Sequence, residues 1–220
     1  MEKTEYFSKP NKVIRFLILS DVSLIAGLGF ISPVFAIFLS ENIRNGGAEV
    51  AGFAAATYWI IESIIVIPAG WFLDRNHGEK DDLWFITIGN LLAAAAVIGY
   101  VFSTLPWHIY ALQAIYAVGM GMNIPGYSAI FTRHIDKGKE ASNWSIRSSS
   151  IGFCTGIAGA LGGIIVKGFG FNALFIGAAF FIILSSIIPF FIKKNMSPKN
   201  IPTVKTPTAK TIQPPIAKNE

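Results

Sequence analysis

Glu62 is a carboxylate set in the middle of apolar sequence, and it is the residue here best placed to do chemistry. It precedes Asp74 by twelve residues, which is roughly 18 Å of helix at 1.5 Å per residue. That depth approaches the midplane of a hydrocarbon layer about 30 Å thick. A carboxyl group there can carry a proton or recognise a cation; equally, it can lock two helices together by hydrogen bonding. Asp21 lies six residues past Arg15, roughly 9 Å further in. It has Arg15 and Arg147 as basic partners, or it can snorkel towards an interface. Arg147 follows Trp144 by about one turn, which is the spacing of an interfacial residue. Asn90, Gln113, Tyr116 and Asn123 are polar groups in otherwise apolar stretches. They either line a solute path or hydrogen-bond between helices.

Other chemistries find no support. Cys154 is the single cysteine, so no intrachain disulfide can form, and one thiol does not make a metal site. His77, His108 and His134 fall in connections or at helix ends without ligand spacing. The sequence contains no nucleophile elbow, phosphate loop or zinc signature. No enzyme activity, cofactor or metal is expected.

The elements that must position these groups are membrane helices. The chain has 220 residues, of which 52% are hydrophobic and 14% charged, with 18 Phe. A soluble domain carries about 25% charged residues. Six stretches approach the roughly 20 residues a spanning helix needs: 13–39, 50–73, 83–102, 107–131, 144–166 and 171–192. The first is too long for a cleavable signal peptide and lacks its small-residue cleavage site. Residues 1–12 precede the bundle. Residues 193–220 follow it as a Pro- and Lys-rich tail that cannot bury an apolar face and is expected to be disordered.

Charge fixes the topology. Of the 18 Lys and Arg residues, all but Arg44 and Lys167 fall on one side of the six-span pattern. The positive-inside rule puts that side, with both termini, in the cytoplasm of a plasma (inner) membrane protein. It also explains the net charge of +5 without nucleic acid as a partner; the lipid bilayer is the partner instead. Trp107 and Trp144 sit at helix starts, where interfacial aromatics belong.

The six spans divide into two. Gly27, Gly29 and Pro33 in the first span match Gly119, Gly121 and Pro125 in the fourth, at an offset of 92. The same offset carries Gly70 onto Gly162. Three spans per copy means that the copies have opposite orientation, which is the inverted-repeat plan of secondary transporters. The fold class expected is therefore all-α: a polytopic membrane protein of six transmembrane helices, arranged as two inverted three-helix repeats.

After the second span the sequence reads Gly70-Trp-Phe-Leu-Asp74-Arg75-Asn-His-Gly78-Glu-Lys80. This resembles the G-x-x-x-D-R-x-G-R-K signature of the major facilitator superfamily in its position, its side and the order of Gly70, Asp74, Arg75, Gly78 and Lys80. One extra residue separates Arg75 from Gly78, and Lys80 stands among Glu79, Asp81 and Asp82. The fourth span keeps the family's two glycines as Gly119 and Gly121, but Ile115 stands where many members have an Arg linked to proton coupling. The fifth span is glycine-rich without the Gly-Pro pair of antiporters. The resemblance covers 13–192 and accounts for the N-terminal half of a two-bundle member.

The resemblance implies transport of a small solute by alternating access. One bundle supplies one wall of a cavity, so a homodimer or a second six-helix half is implied. In a symmetric dimer Asp74 of one copy would face the start of the other's fifth span, near Ser142 to Trp144. The alternative is a non-transporting scaffold or accessory bundle, or a truncated transporter. The sequence names neither the solute nor the coupling ion.

Overall fold

The computed structural model describes residues 10–75 and 78–195. Among them all regular structure is helical: α1 (Lys12–Ile31), α2 (Phe35–Asn42), α3 (Ala48–Arg75), α4 (Glu79–Tyr100), α5 (Pro106–His134) and α6 (Glu140–Ile187), followed by a 3₁₀ segment (Ile188–Asn195). Residues 1–9 of the N-terminal segment, 76–77 of the motif and 196–220 of the tail lie outside the described residues.

The six spans are present, with two departures from the sequence reading. The first span is not one helix: it breaks between α1 and α2 at Ser32-Pro33-Val34. Pro33 has no N–H to donate back along the helix, and the backbone closes a tighter turn there, with Val34 N–H donating to Ile31 O at 3.1 Å. The second departure joins the fifth and sixth spans. Helical backbone runs through from Glu140 to Ile187 with one non-helical residue, Gly170, at φ 79° and ψ 175°. Glycine takes a positive φ without a Cβ clash, so Gly170 alone turns the chain. The sixth span then gives way to 3₁₀ winding from Ile188 instead of running helical to 192.

By length and composition four helices qualify as membrane spans: α1, α3, α4 and the continuous α6. The 29-residue α5 is long enough but carries Gln113, Asn123 and terminal charges. Pro68 in α3 and Pro125 in α5 are tolerated within their helices, as packed membrane helices allow. Caps hold the ends: Asn11 Oδ1 accepts from Ile14 N–H at 3.0 Å, and Pro106 opens α5 at a position where its missing N–H costs nothing.

The packing carries the inverted repeat. α1 packs on both halves of α6, while α5 packs on α3 and α4, and α4 meets α6 across the middle. Small residues set these approaches. A Cβ added at Gly29 would meet Ala158 Cβ at 3.0 Å and Thr155 Cα at 3.6 Å. At Gly121 it would meet Ile65 Cβ at 2.8 Å and Glu62 O at 3.4 Å. Gly29 and Gly121 are the matched glycines, and their neighbours match as well, at an offset of 93. Gly27 against Ala178 and Gly119 against Gly89 repeat the relation in the third and sixth spans.

The two flanking helices of this plan, α3 and the first half of α6, are buried on one side only. In α3 the buried residues are Val50, Ala54, Glu62, Ala69 and Leu73, a single stripe against α5. The rest of its surface, including Trp59, Ile60, Ile64 and Trp71, faces outwards. That surface suits hydrocarbon or a second protein and would be costly in water.

Candidate functional site

Two sites at opposite ends of the bundle collect the polar residues, and a hydrogen-bonded seam separates them. The seam crosses four spans. Asn123 Nδ2 donates to Asn90 Oδ1 at 2.7 Å, and Asn90 Nδ2 donates to Ser185 Oγ at 2.9 Å. Ser20 Oγ donates to Ser185 O at 2.7 Å, and Ser185 Oγ to Ile182 O at 2.6 Å. All four side chains are buried. Asn90 and Asn123 therefore hold helices together in this structure.

At the end where Asp74 lies, Arg147 reaches into the bundle from the fifth span. Its Nη2 stands 2.7 Å from Asp21 Oδ2. The contact is an ion pair and not an aligned hydrogen bond. The guanidinium lies 4.7 Å from the Tyr127 ring centroid and 5.5 Å from that of Trp144. Of the two partners the sequence offers for Asp21, the structure selects Arg147. Arg147 is half-buried and anchored, deeper in role than an interfacial residue.

The same end holds charges the sequence reading treated as a loop. Glu79 and Asp82 are buried in the first turn of α4. Asp82 pairs with Arg133, and Glu79 Oε1 lies 3.0 Å from His134 Nε2, both at the end of α5. Carboxylates in a first turn and cations in a last turn each suit their helix dipole. The signal that could have found these pairs was the match of acidic residues opening one span with basic residues closing the next. Asp74, Arg75 and Lys80 are exposed, and Gly78 is partly so. Gly70 lies against Pro125, 3.8 Å from a Cβ placed on it. The motif thus stands on the surface of this bundle. At the start of the fifth span Glu140 Oε1 accepts from Gly138 N–H at 3.1 Å. Its own backbone N–H and that of Gly138 hold its carboxyl below the usual range. Asn143, in the segment expected to meet Asp74, is buried, with its Nδ2 donating to Lys139 O at 3.0 Å. Ser142, Trp144 and the following Ser145 are exposed there.

At the far end, where α1 and α4 finish and α5 begins, a cavity of about 320 Å³ is lined by Leu28, Ile31, Ser32, Phe35, Val97, Tyr100, Gln113 and Tyr116. That size lies at the low end of ligand pockets, roughly 300–1,000 Å³. Gln113 is 8% exposed, and its Oε1 has no hydrogen-bond partner. Tyr116 stacks on Tyr58 of α3 with centroids 4.8 Å apart. Glu62 is buried one turn from Tyr58. So Gln113 and Tyr116 share the cavity, with Tyr100 added by the fold, while Glu62 and Tyr58 lie outside its lining. Asp21, Arg147, Asn90 and Asn123 belong elsewhere. Among the described residues no cluster of His, Cys, Asp and Glu has metal-holding geometry.

Comparison with known proteins agrees with this architecture. The crystal structure of the POT family transporter PepTSo superposes with a TM-score of 0.69 at 15% identity, over 88% of this chain and 40% of that one. An auto-inhibited POT family peptide transporter superposes with a TM-score of 0.66 at 16% identity, over 86% of this chain and 38% of that one. At such identity the likeness shows the fold alone. The chain spans about two fifths of the length of the solved structures it matches. No curated protein sequence matches it. The family model of the Major Facilitator Superfamily matches residues 17–218, and with the six-span inverted-repeat bundle in place the chain belongs to that superfamily.

Proposed function

We propose that this bundle is one half of an alternating-access transporter for a small solute, completed by a second copy or by a distinct six-helix half. The observation that carries the reading is the pair of half-buried flanking helices. α3 and the first half of α6 each pack on one helix of the bundle and leave the other face bare. Asp74 and Ser142 stand on those bare surfaces at the same end. The family resemblance makes Asp74 a contact to the helix start of the opposing bundle. Glu140 already occupies that helix start in this chain, and it would repel an Asp74 from a second copy. That favours a distinct second half over a homodimer.

The charge bias supports a cytoplasmic motif end and a plasma-membrane location. Thiol labelling of cysteines placed at Lys9 and Arg44 tests the orientation: Lys9Cys should be reached from inside and Arg44Cys from outside. The assembly is tested in a Cys154→Ser background carrying cysteines at Asp74 and Ser142. Cross-links between bundles support the two-half reading. Cross-links confined to a monomer, with no co-purifying membrane protein, would overturn it. That outcome would favour the scaffold alternative, to which Ile115, in place of the coupling Arg, also points.

A further inference from the structure

The two ends of the bundle are built on equivalent positions of the inverted repeat, yet they are filled differently. At the motif end the guanidinium of Arg147 sits 2.7 Å from Asp21 and 4.7 Å over the Tyr127 ring. The repeat offset of 92 carries Asp21 onto Gln113 and takes Tyr127 back onto Phe35. Both Gln113 and Phe35 line the far cavity. Arg147 falls on Ala55 by the motif offset of 92, or on Ala54 by the contact offset of 93; both are alanines. Neither alanine lines the far cavity; what it shares with the Arg147 site is the repeat-equivalent pair Gln113 and Phe35.

What lines the cavity suits a cation. Gln113 Oε1 is an acceptor, buried and unpartnered. Phe35, Tyr100 and Tyr116 present aromatic rings to the cavity, and ring faces attract ammonium and guanidinium groups. No Lys or Arg lines the cavity, so nothing there would pair with an anionic group. We infer that this cavity binds the cationic head, an ammonium or guanidinium, of a small solute with an apolar body. The inference rests on the solute-transport reading and names the substrate class for it.

The test is direct binding, by isothermal titration of the purified full chain in mild detergent. Benzylguanidinium is the probe, and benzylurea is its neutral counterpart of similar shape. Benzylguanidinium should bind at least about tenfold more tightly, the scale of one or two desolvated cation–π contacts. The near-isosteric Gln113→Leu should remove most of that preference. Equal affinity for the two probes, no binding of either, or a preference untouched by Gln113→Leu would overturn the assignment. Titration requires neither a second half nor transport. Binding without uptake in liposomes that hold this chain together with its co-purified second half would therefore count against the transport reading alone, and uptake there indifferent to solute charge would count against the cation site alone.

Discussion

Gly162 and Gly163 are neighbours in the fifth span, and the packing predicts opposite outcomes for the same substitution. A Cβ at Gly162 would fall 3.0 Å from the carbonyl carbon of Phe30 and 3.1 Å from its Cα, with the carbonyl oxygen nearer still. These are backbone atoms of α1 and cannot rotate away. A Cβ at Gly163 meets nothing within 4 Å. Gly→Ala gains about 0.5–1 kcal/mol of helix propensity at either position, so that contribution cancels in the comparison. What remains is the overpacking cost at Gly162, about 1–3 kcal/mol. Gly162→Ala should therefore unfold before Gly163→Ala by that amount. At about 2–4 °C per kcal/mol for a chain of this size, the gap is several degrees. Thermal unfolding in mild detergent, followed by tryptophan fluorescence and by size-exclusion recovery, reads it. If Gly162→Ala melts at or above Gly163→Ala, the close approach of α1 and the fifth span is wrong, and with it the inverted repeat built on that approach.

Asp21→Asn and Arg147→Gln should each lower the unfolding midpoint, because breaking a buried ion pair costs about 3–5 kcal/mol. The double variant should lose clearly less than the sum, and an additive double-mutant cycle would show that the two groups are not coupled. Asn90→Ala removes two hydrogen bonds of the central seam and Asn123→Ala removes one. At about 0.6 kcal/mol per interhelical bond in membranes, Asn90→Ala should melt lower in the same unfolding assay; the reverse order would argue against the seam. Glu62→Gln should abolish proton-gradient-driven uptake in liposomes that hold this chain with its second half, while leaving expression and folding intact, and retention of uptake would remove Glu62 from coupling.

The number of spans and their twofold relation were legible because each is written in composition. Apolar length and a glycine pattern repeated at one offset both survive without tertiary context. The break at Pro33 was less legible, since membrane helices carry proline without breaking: Pro68 and Pro125 lie inside continuous helices. The polar residues were harder still. Asn90 and Gln113 look alike in sequence, as single amides among apolar neighbours. Helix rotation decides between them, pointing Asn90 at Ser185 and Gln113 into a cavity. Tyr100 was invisible as a site residue because aromatic side chains are common throughout the chain. Glu79 and Asp82 were hidden by their setting in a short charged run, where exposure is the ordinary expectation.

The distribution of the ion pairs bears on how such a bundle would move. Among the described residues two ion pairs, Asp21–Arg147 and Asp82–Arg133, and the Glu79–His134 contact all lie at the motif end. They tie the first span to the fifth and the third to the fourth. The far end has none of these ties; its polar groups are an unpartnered amide, stacked phenols and one buried acid. Attraction between charges strengthens as the surroundings become less polar, so the motif end is the stiffer one. A rigid end that carries the exposed Asp74 can transmit a push from an opposing bundle. A far end held by aromatic contacts can open and close around a small guest at low cost. Repeat-equivalent positions thus carry an anchored Asp21–Arg147 pair at one end and the cavity residues Gln113 and Phe35 at the other. The proposed transporting half would use that asymmetry, which a symmetric packing bundle would not need.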